Sequence, residues 1–316
     1  MKLLRKILVG LLLTLLGLAL LVALLFGHRD IPLEDLKAKY AGPTSAFVAV
    51  QGMQVHYRDE GNPADSLPLV LIHGTGASLH TFDAWVEELA QHRRVIRMDL
   101  PGYGLTGPFP DRNYAQPQYV AFIHDFLAQL GIEQCILGGN SLGGLISWQY
   151  AAQYPEQVAK LILIDAAGYP GKARSVPLAF RLAQIPVIKQ AFTYITPRFI
   201  ARASVENVYA DKSKVTDELA DRYFELTLRP GNRQAFVDRL GAPRDTTVYQ
   251  QIAALHQPTL VLWGAEDQLI PMAQALRFHA DLPNDTLVIL KNAGHVPMEE
   301  SPQESLAAVE RFLRRW

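Results

Sequence analysis

Between residues 138 and 144 the chain reads GGNSLGG, four glycines in seven residues, set in two pairs around one serine. The apolar run Cys135-Ile136-Leu137 precedes it, and residues 146–152, helical in character, follow. Glycine weakens the interior of both strands and helices. Two pairs of it at a strand-to-helix junction therefore mark a place where backbones must approach each other closely, and this junction has to sit inside an ordered α/β framework.

The rest of the chain supplies that framework. Residues 47–50 and 53–57, joined by Gln51-Gly52, read as a hairpin. Apolar runs at 67–72, 95–98, 135–137, 161–164, 259–263 and 286–290 are separated by helical stretches near 81–92, 118–130 and 272–279 and by the helix after Ser141. Strands that are apolar on both faces and alternate with helices indicate a mostly parallel sheet covered on both sides. The alternation lapses over about 168–244, where helical stretches, prolines and charges replace strands, and then resumes. The expected organisation is an N-terminal segment over 1–28, a polar connector over 29–44, and one α/β domain over 45–316 with a helical cap at about 168–244.

The N-terminal segment has a composition of its own. Residues 7–26 carry no charge, eleven of these twenty are leucine, and Lys2, Arg5 and Lys6 precede them. Twenty helical residues cover about 30 Å, the thickness of a bilayer core, and basic residues ahead of a span stay in the cytoplasm. The expectation is an uncleaved, single-pass transmembrane anchor with the remainder on the extracytoplasmic, periplasmic side. Secretion after cleavage of a signal peptide is the competing reading, although Leu24-Leu25-Phe26-Gly27 lacks the small-x-small pattern of such a site. A formal charge of −1 gives no electrostatic reason to expect nucleic acid. The single cysteine, Cys135, excludes an internal disulfide framework and reads as an inert core thiol.

A serine hydroxyl is a weak nucleophile until a base takes its proton and donors receive the oxyanion it creates. Gly139-Asn140-Ser141-Leu142-Gly143 fits the G-x-S-x-G turn, in which a strained serine stands at the head of a helix. The Leu142 N–H is then one candidate oxyanion donor. The Thr75 N–H, in His73-Gly74-Thr75-Gly76 after the 67–72 strand, is the other. Of nine histidines, His295 lies directly after the last strand and is the candidate base, while His73 reads as a ring tying loops together. Asp267, after the 259–263 strand, is the candidate orienting acid; Asp165, ending the 161–164 strand, is its rival and Glu266 a lesser one. The order Ser141, Asp267, His295 is the one this turn requires. Gly102 to Gly107 satisfies G-x-G-x-x-G, but Pro108-Phe109-Pro110 denies a dinucleotide the helix it would need. No cofactor and no metal is expected.

The motifs HGTGAS (73–78), DLPGYGLTG (99–107), GNSLGG (139–144), WGAEDQLIP (263–271) and NAGHVPMEE (292–300), in this order, make the chain resemble the α/β-hydrolase family over about residues 45–316. The resemblance implies an eight-stranded sheet, a cap after the sixth strand, and metal-free hydrolysis through an acyl-enzyme. An anchor followed by this domain is similar to the membrane-anchored monoacylglycerol lipases and related bacterial esterases. Serine at 141 departs from the dehalogenase and epoxide-hydrolase branches, which carry Asp there. The expected activity is cleavage of carboxylic esters of apolar, lipid-derived molecules, with a small ester or lipid and the membrane as partners. Carbon–carbon bond hydrolysis of ring-cleavage products is the alternative within enzymes, because GNS-x-GG resembles that branch too. Thr75-Gly76-Ala77 and Val296 stand where that branch usually has Gly-Pro-Gly and Trp. A non-catalytic ligand-binding protein of the same fold is the reading from another class.

Overall fold

The computed structural model describes residues 2–186, 188–243 and 245–315. Its strands are β1 Ser45–Val50, β2 Met53–Glu60, β3 Leu69–Ile72, β4 Val95–Met98, β5 Cys135–Asn140, β6 Val158–Ile164, β7 Thr259–Gly264 and β8 Asp285–Leu290. They form one sheet in the order β1-β2-β4-β3-β5-β6-β7-β8. The β1–β2 hairpin turns through Gln51 and Gly52, whose φ values of 49° and 78° match the left-handed pair favoured in tight hairpins. β2 pairs antiparallel with β4, and all later pairings are parallel.

Successive strand residues feed opposite cores, as the two-residue period of a strand requires. Val70 and Ile72 join one apolar cluster, while Leu69 and Leu71 join the other. Helices cover both faces, which is why these strands are apolar throughout. In chain order, α1 is Lys2–Phe26, α2 Leu33–Tyr40, α3 Asp83–Leu89, α4 Gln116–Gln129 and α5 Leu142–Gln153. Between β6 and β7 the chain leaves the sheet for α6 Leu178–Ala183, α7 Ile188–Phe192, α8 Arg198–Val208, α9 Asp217–Thr227 and α10 Asn232–Gly241. α11 Ala273–Asp281, α12 Pro297–Glu300 and α13 Pro302–Arg315 complete the set. Residues of α4, α5 and α11 share the first cluster; residues of α3 and α13 share the second.

The stretch 29–44 is more than a polar connector. Its helix α2 buries Leu36 against Leu105 and Leu226. One fully buried side chain in a short, charged helix leaves no amphipathic period to read, so tertiary contact decides the conformation. α1 is a single 25-residue helix, about 38 Å long at 1.5 Å per residue, and its apolar side chains are exposed along almost all of it. Its foot is fixed to the inserted helices. Gly27 bridges to Ile195, the His28 N–H donates to the Tyr194 carbonyl at 3.3 Å, and the Phe26 and Phe199 rings meet edge to face at 5.9 Å.

Candidate active site

The parallel strands end at one edge of the sheet, where loops carry the chemistry in folds of this kind. Ser141 follows β5 with φ 54° and ψ −110°, strained values for a residue with a side chain. Its backbone is held in this shape from both sides. The Ser141 N–H donates to the Ile164 carbonyl at 3.0 Å, and its own carbonyl accepts from Leu145 at 3.0 Å and Ala167 at 3.1 Å. The paired glycines explain how β5 turns into α5. A Cβ on Gly139 would stand 2.3 Å from the Gly143 carbonyl carbon, and one on Gly143 would stand 2.0 Å from the Ile72 carbonyl oxygen. Strand, helix and the end of β3 touch through bare backbone.

The loop after β3 presses on this turn, since a Cβ on Gly74 would lie 3.1 Å from that of Ser141. Among the described residues, neither the Thr75 nor the Leu142 N–H has a hydrogen-bond partner. Thr75 lines the cavity beside Ser141, and Leu142 opens α5, at the end where helix N–H groups stand free.

His295 follows β8 and is buried. Its Nδ1 lies 2.7 Å from Asp267 Oδ2, and a carboxylate at that distance holds the proton on Nδ1 and leaves Nε2 as the basic nitrogen. The loop is fixed by the His295 N–H donating to Val208 at 2.8 Å and by Asn140 Nδ2 donating to the His295 carbonyl at 2.9 Å. Asp267 is held in turn, its Oδ1 accepting from the Leu269 and Ile270 N–H groups at 2.8 and 2.9 Å. Among the described residues, no hydrogen bond takes Ser141 Oγ or His295 Nε2, and both residues line one cavity.

The other sequence candidates are placed differently. Asp165 is fully buried and hydrogen-bonds the Gly264 N–H at 2.9 Å, not the histidine. Glu266 is exposed. His73 bridges two loops, donating from Nδ1 to the Gly74 carbonyl at 2.8 Å and accepting the Leu100 N–H on Nε2 at 2.9 Å. Burial lowers its pKa, which keeps the ring neutral for that task. The ligand-type atoms of Asp165, Asp267 and His295 lie within 4.8 Å of one another, as a metal site's would. The facing atoms of Asp267 and His295 already satisfy each other, at 2.7 Å.

Two residues with positioning roles escaped the sequence reading. Asn140 joins the serine turn to the histidine loop. Glu300 accepts from the Gly294 N–H at 2.6 Å and from Ala210 and Asp211 at 3.1 and 2.6 Å, joining the same loop to the inserted helices. The only hint in the sequence is an acidic pair directly after an apolar loop. The cleft over Ser141 is walled by Phe180, Phe192, Ile200, Leu226 and Phe236. No Lys, Arg, Asp or Glu is among its described lining residues.

A serine at a strained strand–helix corner, with a carboxylate-bound histidine following the last strand, defines a recognisable class of hydrolase. The profile of the alpha/beta hydrolase fold matches residues 68–302, and the chain belongs to that family. Among curated relatives, 2-hydroxy-6-oxo-2,4-heptadienoate hydrolase of Pseudomonas putida is 29 % identical over 276 residues, covering 84 % of this chain and 95 % of that one. Among solved structures, a membrane phospholipase A described as a bacterial virulence factor is similar over 98 % of both chains, with a TM-score of 0.71 and 25 % identity. A thermophilic esterase of Thermogutta terrifontis is similar over 86 % of this chain and 97 % of its own, with a TM-score of 0.70 and 26 % identity.

Proposed function

We propose that the protein is a serine hydrolase that cleaves carboxylic esters of apolar, lipid-derived substrates through an acyl-enzyme. Ser141 Oγ attacks the ester carbonyl as His295 Nε2 takes its proton. Asp267 holds the ring in the required tautomer and stabilises its charged form, and the Thr75 and Leu142 N–H groups receive the oxyanion. His295 then returns the proton to the leaving alcohol. A water activated by the same nitrogen releases the acid and restores Ser141.

The observation that carries the substrate class is the uncharged, largely apolar cleft over Ser141. The carbon–carbon hydrolase relative is named for a dienoate, an anion whose burial needs a cation or strong donors. The absence of any Lys or Arg among the described lining residues favours a neutral ester instead. We place the hydrolase domain at the extracytoplasmic face of a membrane, with α1 as its uncleaved anchor. The length and exposure of α1 and the basic residues ahead of it support this reading.

A fluorophosphonate should label Ser141, and monoacylglycerols and p-nitrophenyl esters should be turned over. Preferential turnover of a 2-hydroxy-6-oxo-dienoate would replace the ester assignment with the alternative, and no labelling at Ser141 would remove the nucleophile. Full-length protein found soluble, with a new N-terminus near Gly27, would replace the anchor with a cleaved signal.

A further inference from the structure

Asp165 is the buried acid that the mechanism above does not use. It directly follows β6 at φ 43°, a left-handed backbone that side chains other than those of Asn and Asp rarely accept. Its Oδ1 accepts the Gly264 N–H at 2.9 Å, while Oδ2 is buried and has no partner among the described residues. One of its oxygens, one oxygen of Asp267 and one ring nitrogen of His295 lie within 4.8 Å of one another. Asp267 contrasts with it. Three donors converge there, the His295 ring and the N–H groups of Leu269 and Ile270.

Two carboxyl groups side by side and out of water do not both stay ionised; one keeps a proton. The donors decide which. Three donors are aimed at Asp267, whereas Asp165 has one N–H and, among the described residues, an idle oxygen. The charged and titratable groups facing Asp165 are Asp267 after β7, His295 after β8 and, further off, Glu300 in α12. The two acids among them both oppose a second negative charge. Burial first, and then the charge of Asp267, push the Asp165 carboxyl well above the ordinary carboxylate range.

The geometry points to Asp165 as a neutral acid whose O–H donates to the Asp267 carboxylate, a positioning residue that keeps the pair at one negative charge and fixes the Asp267 rotamer. This rests on the reading of Ser141, His295 and Asp267 as catalytic. The proton stays on Asp165 Oδ2 throughout the cycle. When His295 takes the serine proton, its imidazolium faces one negative charge already held in place.

Asp165→Asn keeps a donor, a neutral group and tolerance of positive φ. It should leave kcat within about 3-fold of the full-length protein and the acid limb of kcat/KM within about 0.3 pH unit. Asp165→Gly accepts the same φ without strain but has no donor. It should lower kcat by about 10- to 100-fold at unchanged KM, the worth of a hydrogen bond to a charged group. The infrared band of a protonated carboxyl should be present at neutral pH in the wild type and absent from Asp165→Asn, a readout that needs no turnover and survives if the glycine variant fails to fold. A downward shift of the acid limb by about one unit in Asp165→Asn would show that Asp165 is ionised and overturn the proposal. So would a glycine variant as active as wild type, or an infrared band that persists in Asp165→Asn. Activity retained in Ser141→Ala would instead remove the catalytic reading and leave the infrared result standing on its own.

Discussion

Ser45, His56 and Asp99, at the antiparallel end of the sheet, repeat the residue types of Ser141, His295 and Asp267, and their hydrogen bonds are more complete. His56 Nε2 lies 2.8 Å from Ser45 Oγ, and Nδ1 lies 2.7 Å from Asp99 Oδ2. Judged by distances alone, this would be the reactive set. Yet Ser45 Oγ already accepts the Gly42 N–H at 3.0 Å and Arg58 Nε at 3.2 Å. The Phe47 ring lies against His56 at 5.1 Å, and Asp99 also takes the Leu79 and Leu105 N–H groups, each at 2.8 Å. The side-chain polar atoms of all three are used inside the protein, and none of the three residues lines the cleft. Among the described residues, Ser141 and His295 instead leave Oγ and Nε2 without partners beside open space. Unused hydrogen-bonding capacity, held in place by strain, marks the site better than a finished relay does.

The largest test of that contrast is in turnover. Ser141→Ala and His295→Ala should each lower kcat by about 10⁴- to 10⁶-fold, because such residues act as a unit. Ser45→Ala should stay within about 2-fold of wild type on the same ester. Asp267→Asn should lose about 10³- to 10⁴-fold in kcat through the wrong imidazole tautomer. Equal losses in the Ser45 and Ser141 variants would erase the distinction between the two sets.

Stability tests the structural role of the Asp99 set. Asp99→Asn breaks a buried, multiply bonded pair and should cost about 3–5 kcal/mol in denaturant unfolding, with kcat affected far less than by Asp267→Asn. Burial alone would raise the Asp99 pKa; the charge and hydrogen bond of His56 hold it well below the ordinary range. Because its folded pKa lies under its unfolded value, the stability it contributes is complete above about pH 4 and is lost as pH falls below that. The wild type should lose stability in that acid window more steeply than Asp99→Asn does.

The smallest effect concerns His80, next to this cluster, whose pKa burial lowers to about 4. Between about pH 6.5 and 4 the unfolded chain binds a proton there that the folded chain does not, so stability falls with pH by about 2–3 kcal/mol over that interval. His80→Gln should flatten the slope of stability between those values. An unchanged slope would show that the ring is not protected.

The sheet, the serine turn and the candidate Ser, Asp and His were legible because each left a local mark: an apolar strand run, paired glycines, or a loop placed directly after a strand. What stayed hidden depends on contacts between distant segments. Leu36 gives α2 no visible period, and its burial needs Leu105 and Leu226. Glu300 reads as one of two adjacent acids until Gly294, Ala210 and Asp211 bring their N–H groups to it. Asp165 and Asp267 both follow sheet strands, and the sequence could weigh them only by position. The structure separates them by the donors each one receives.

The Glu300 carboxylate bears on how this fold could be re-engineered. It accepts from Gly294, one residue before His295, and from Ala210 and Asp211 beyond the end of α8. The inserted helices are therefore not an interchangeable module resting on a finished scaffold. A substitute segment grafted between β6 and β7 inherits a boundary condition: it must bring two backbone N–H groups to oxygens that also brace the histidine loop. A chimera designed only for a new pocket shape would break that shared joint and release the loop that carries His295.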